Sequence, residues 1–86
     1  MVRIELYGVP RLRAGRQWVE VEAYTVADAL RETQRICPNI EPEVLNGGKL
    51  NPIYVVALNG GTLTRDVNVS LKEGDVLVLL TSQAGG

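Results

Sequence analysis

Val55-Val56-Ala57-Leu58-Asn59-Gly60, then Leu71-Lys72-Glu73-Gly74-Asp75-Val76-Leu77-Val78-Leu79, then Ala84-Gly85-Gly86: these three stretches decide how the chain is read. Ile53 to Leu58 is an apolar run too short for an ordinary helix and rich in β-branched residues, which predicts a central strand. Asn59-Gly60-Gly61 is a strong turn signal, because both residue types tolerate a left-handed backbone. Thr62 to Leu71 alternates loosely and predicts a short strand. Lys72-Glu73-Gly74-Asp75 is a second turn, and Val76 to Leu80 is the last strand. Residues 81–86, Thr-Ser-Gln-Ala-Gly-Gly, have nothing to bury. The chain therefore divides into a folded body, 1–80, and a flexible diglycine tail, 81–86.

Upstream of that region the periodicity changes twice. Val2, Ile4 and Leu6 alternate with Arg3, Glu5 and Tyr7, the period of a half-buried strand. Gly8 to Arg16, with Pro10 and Gly15, reads as a turn or long hairpin loop, and Trp18 to Glu22 resumes the alternation. Thr25 is a good N-cap, with Asp28 placed to favour the positive end of a helix dipole. Val26, Ala29, Leu30, Thr33, Ile36 and Cys37 fall on one helical stripe, and Pro38 ends it. Pro38 to Pro52 reads as irregular, with a turn at Asn46-Gly47-Gly48 and a single helical turn over Pro42 to Leu45. The order strand, strand, helix, strand, short strand, strand predicts an α+β fold. It is a mixed sheet of about four to five strands with one main helix packed across it.

The Asn-Gly that closes one strand, the Leu-x-x-Gly-Asp turn before the last strand, and the terminal Gly-Gly together resemble the MoaD/ThiS sulfur carriers. The opening hairpin and the length look closer to the molybdopterin-synthase small subunit than to the thiamin carrier. The resemblance implies the ubiquitin-like β-grasp fold and a role as a sulfur carrier, a protein co-substrate and not itself an enzyme. It implies that a partner adenylating enzyme uses ATP and magnesium to activate the carboxylate of Gly86. A sulfur donor then turns the acyl-adenylate into a thiocarboxylate, and a synthase subunit accepts the sulfur, with the molybdopterin branch favoured. The residue types suit that chemistry. A carboxylate is ionised far below pH 7 and is a poor acyl electrophile until a leaving group is attached. Ala84, Gly85 and Gly86 offer little bulk to clash in a narrow channel, and six extended residues reach roughly 20 Å. Glycine averages about 7% of residues, so a terminal pair arises by chance on the order of once in 200 chains.

Composition excludes other chemistry. The chain of 86 residues is long enough for one core only. There is no His and one Cys, so Ser–His and Cys–His pairs cannot exist, and neither can a thiolate-held cluster. A metal site is not expected, and no cofactor is expected on the chain itself. A net charge of −1 argues against nucleic acid. Apolar runs of no more than six residues argue against a membrane span, and the lone cysteine fits a reducing compartment, so the expected location is cytoplasmic. Cys37, on the helix stripe, is expected to be a buried structural thiol, and Arg11, Arg13 and Arg16 a solvated basic loop.

If Leu77 and Leu79 face inward, then Val76, Val78 and Leu80 face outward, which makes them the expected partner-binding row. The expected core is Val2, Ile4, Leu6, Val19, Val21, Leu30, Ile36, Val56, Leu58, Leu77 and Leu79. The competing readings are a β-grasp interaction or protein-tagging module without sulfur transfer and, more remotely, a small RNA-binding domain.

Overall fold

Alternation in the sequence becomes alternation in space. The computed structural model describes residues 1–81. In β1 (Val2–Leu6) and β2 (Trp18–Val21) every second side chain is buried. The same holds for Leu77 and Leu79 in β7 (Val76–Thr81). Between them lie α1 (Val9–Ala14), α2 (Val26–Ile36), the two-residue strands β3 (Leu45–Asn46) and β4 (Lys49–Leu50), β5 (Tyr54–Leu58) and β6 (Leu63–Thr64). The main sheet runs β2-β1-β7-β5-β6, and β3 and β4 form a separate hairpin. β1 and β7 are parallel, and every other pair in the main sheet is antiparallel. With α2 packed on one face, this is the ubiquitin-like β-grasp.

α2 starts where its cap predicts. Thr25 Oγ1 accepts the Asp28 N–H at 3.1 Å, and Asp28 accepts the Tyr24 N–H at 3.2 Å. That second bond is the main reason the Asp28 carboxyl lies below its usual range. The amides of Val26 and Ala27 donate to the carbonyls of Val69 and Val67, so the helix end is closed by the loop after β6. Thr33, fully buried, donates its hydroxyl to the Ala29 carbonyl and leaves no polar debt in the core. Cys37 is buried, and burial pushes its thiol up, which suits a structural side chain.

Several expectations need correction. The segment from Gly8 to Arg16 is not simply a loop, since it holds the short helix α1. Pro10 sits in the first turn, where its missing N–H costs nothing, and is buried. Gly15, at φ 73°, closes the helix by donating its N–H to the Arg11 carbonyl. The helical turn expected over Pro42 to Leu45 falls earlier, as a 3₁₀ turn at Pro38–Ile40, and Val44 N–H then bonds back to Ile40. Pairing in the stretch Thr62 to Leu71 breaks off after Thr64 and returns only as a single bridge between Ser70 and Thr25. The Thr64 hydroxyl accepts the Asp66 N–H, and the Asp66 carboxylate accepts the Asn68 N–H, which turns the chain away. Ile36 and Leu58, at the ends of their elements, are only half-buried. Their expected places in the core are taken by Ile40, Val44, Leu45 and Tyr54, so part of the irregular segment seals the helix side. Among the described residues no helix is long and apolar enough to cross a membrane.

Candidate docking face and tail

The functional reading rests on one strand. β7 lies between β1 and β5, paired Arg3–Val76 through Leu6–Leu79 on one side and Tyr54–Thr81 through Leu58–Leu77 on the other. Leu77 and Leu79 are fully buried against α2. Val76, Val78 and Leu80 occupy the opposite, open face and are half-buried. They are flanked there by Val55 and Ala57 of β5.

Register brings further side chains to that face. Trp18 stands opposite Glu5, Glu5 opposite Val78, Val78 opposite Ala57, and Ala57 opposite Leu63. The row is apolar apart from Glu5, and its two ends, Trp18 and Leu63, are 38% and 57% exposed. The Arg3 guanidinium stacks on Trp18 at 4.2 Å from the ring centre, and that of Arg11 stacks on Tyr7 at 4.7 Å. Tyr7 donates its hydroxyl to Glu5 at 3.3 Å. The sequence pattern places Val76, Val78 and Leu80 on this face. The contributions of Trp18 and Leu63 depend on strand pairing, which periodicity alone does not supply.

The start of β7 is fastened by the two turn motifs. Asn59, at φ 52°, donates its side-chain amide to Asp75 at 3.0 Å and accepts the Val76 N–H at 2.9 Å. Its own N–H donates to the Val76 carbonyl at 2.8 Å. Asp75 also accepts the Lys72 N–H at 2.8 Å. The bond from Lys72 first, then that from Asn59, holds the Asp75 carboxyl below its usual range. This explains the Asn-Gly and Gly-Asp stretches in physical terms: they are the two halves of one brace that fixes the register of β7.

A cavity of about 230 Å³ between Met1, Tyr24, Leu71 and Glu73 lies at the opposite end of the sheet from Thr81. Among the described residues no three His, Cys, Asp or Glu side chains gather into a metal-holding group. The expected reactive residue Gly86, with Ala84 and Gly85, lies outside the described residues.

Comparison with known proteins adds two kinds of likeness, one of sequence family and one of structure. The sequence profile of the ThiS family matches residues 4–86. No curated protein matches the chain by sequence. Among solved structures, SAMP1 from Haloferax volcanii superposes with a TM-score of 0.84 at 27% identity, over 99% of this chain and 98% of that one. A chain from the complex of subunit 1 and 2 of the molybdopterin-converting factor from Helicobacter pylori gives a TM-score of 0.66 at 25% identity, over 99% of this chain and 97% of that one. The BexX/CysO complex of Amycolatopsis orientalis gives 0.80 at 23% identity with full coverage of both chains, a likeness of fold.

Proposed function

The chain belongs to the ThiS family of small ubiquitin-like carrier proteins, and on that premise we propose that it carries sulfur on the carboxylate of Gly86. The observation that carries this reading is the family match itself, which runs through residue 86 and so includes Ala84-Gly85-Gly86. In the proposed reaction an oxygen of the Gly86 carboxylate attacks the α-phosphorus of ATP on a partner enzyme. The bond to pyrophosphate breaks and leaves an acyl-adenylate. Hydrosulfide from the sulfur donor then attacks the acyl carbon, the bond to AMP breaks, and after loss of a proton a thiocarboxylate remains. The partner supplies ATP, magnesium and the catalytic groups.

The chain supplies position. β7 is held on both sides, so the tail leaves a strand that cannot shift register without breaking two ladders. Residues 82–86 span at most ~17 Å when extended, so the body must dock close to the partner's active centre. The apolar open face around Val76, Val78 and Leu80 is suited to that docking. We favour a synthase subunit as the sulfur acceptor, in the molybdopterin branch. Support comes from the likeness to the Helicobacter pylori complex, in which the related chain is paired with a second subunit.

The likeness to SAMP1, a small archaeal modifier protein, favours a second reading, in which activated Gly86 is joined to lysine amines of other proteins. Intact-mass analysis separates the two. With the cognate adenylating enzyme, ATP, magnesium and a sulfur donor, a carrier gains the mass difference between sulfur and oxygen. A modifier given acceptor proteins forms adducts joined with loss of AMP. No change in mass under either condition overturns both readings.

A further inference from the structure

The short helix α1 is held rigidly yet shows an aliphatic side chain to solvent. Pro10 is buried beneath it, Arg11 Nε donates to the Leu6 carbonyl at 2.8 Å, and Arg13 pairs with Glu43. Gly15 locks its far end. Against that framework Leu12 is 82% exposed, the most exposed large apolar side chain among the described residues, and Val9 one turn earlier is also exposed. A fixed apolar side chain that buries little in its own fold, as Leu12 does, is the kind that anchors interfaces, because little entropy remains to be lost on binding.

Every charged residue from Val9 to Arg16 is an arginine. Arg11 and Arg16 make hydrogen bonds to the carbonyls of Leu6 and Trp18, but neither forms an ion pair among the described residues. Arg3, Arg13, Arg31 and Arg35, by contrast, each meet a carboxylate. α1 also stands at the end of the sheet from which the tail departs. β1 runs parallel to β7 with Leu6 beside Leu79, and α1 follows β1 directly. Through the Arg11–Tyr7 stack and the Tyr7–Glu5 hydrogen bond it joins the open face without a break.

We propose that α1 is a second docking element, in which Leu12 enters an apolar socket on the adenylating enzyme while Arg11 and Arg16 meet carboxylates at its rim. The proposal rests on the sulfur-carrier reading, since the partner is the enzyme that receives the tail. Rim charges steer association and make it sensitive to salt. Leu12 buries little, so its replacement leaves the fold intact.

The test is steady-state adenylation by the cognate enzyme, followed by pyrophosphate release. Leu12→Asp should raise KM for the carrier at least tenfold with kcat within twofold of wild type. Arg11→Glu with Arg16→Glu should raise KM as much at low salt. The wild-type KM should climb with added KCl, and that of the double variant should not. Circular dichroism melts should match wild type for Leu12→Asp, and the double variant, which gives up the Arg11 bonds to Leu6 and Tyr7, should remain folded at the assay temperature. If both variants keep KM within twofold while deletion of Gly85 and Gly86 abolishes the reaction, the α1 proposal is overturned and the carrier reading stands. If wild type is not adenylated at all, both fall.

Discussion

Neighbouring residues of β7 lead opposite lives. Leu77 and Leu79 are fully buried and join α2, β1 and β5 into one core. Val76, Val78 and Leu80, on the other face of the same strand, are only half-buried. The difference teaches that a strand can divide its labour by parity. One set of side chains holds the domain together, and the other is spare apolar surface that the fold does not require. Function, in the proposed reading, lies with the spare set and with the residues beyond the strand.

Four experiments can break or sharpen that contrast. The largest effect is expected at the tail. Deleting Gly86, or replacing Gly85 with Trp, should abolish thiocarboxylate formation in the mass assay while leaving the urea midpoint unchanged, because Gly85 and Gly86 have no side chains to bury. Next, Leu77→Ala should cost about 2–5 kcal/mol in urea unfolding, the range for deleting a large buried side chain.

On the open face the probe needs care. Val78 stands opposite Glu5, so an aspartate there would meet a like charge across the ladder. Val78→Lys faces an opposite charge instead and should weaken docking by about tenfold in a binding titration, or ~1.4 kcal/mol, with little loss of stability. Unchanged affinity would remove the open face from the interface.

The smallest effect concerns the brace. The Asp75 carboxyl is held below its ordinary value of 3.8 by the bond from Lys72 and then that from Asn59. A group with a depressed folded value stabilises fully above its unfolded value and loses that contribution as pH falls through the folded one. Asp75→Asn should therefore flatten the loss of stability on acidification below about pH 4, seen as a shallower fall of the urea midpoint. An unchanged acid profile would show that the brace does not depend on the charge.

How much of this was legible beforehand follows the length of each signal. β1, β2, α2 and β7 are read correctly because each offers several periods of an unmixed pattern. α1 spans six residues, less than two helical turns, and its Pro10 and Gly15 are turn signals until the tertiary setting uses them as a first-turn proline and a C-terminal cap. The hairpin of β3 and β4 has two residues per strand, below any periodicity, yet it brings Leu45 into the core. The docking row shows the same limit. Val76, Val78 and Leu80 follow from alternation alone, whereas Trp18 and Leu63 reach the row only through registers that join residues far apart in sequence. The Asn59–Asp75 brace was visible as two turns, but their union across 16 positions was not.

The place of β7 in the sheet has a kinetic consequence. Its neighbours are β1, near the start of the chain, and β5, so the middle of the sheet closes only when segments more than 70 positions apart meet, as in the pairing of Arg3 with Val76. Such non-local contacts slow folding, because the chain entropy is lost before the contacts reward it. A chain that stopped before β7 would leave β1 and β5 with bare edges, and Ile4 and Val56 without the leucines that cover them, an invitation to aggregate. Presentation of the tail is thereby conditional on a finished body: no partly assembled form offers an ordered strand from which the tail could be delivered.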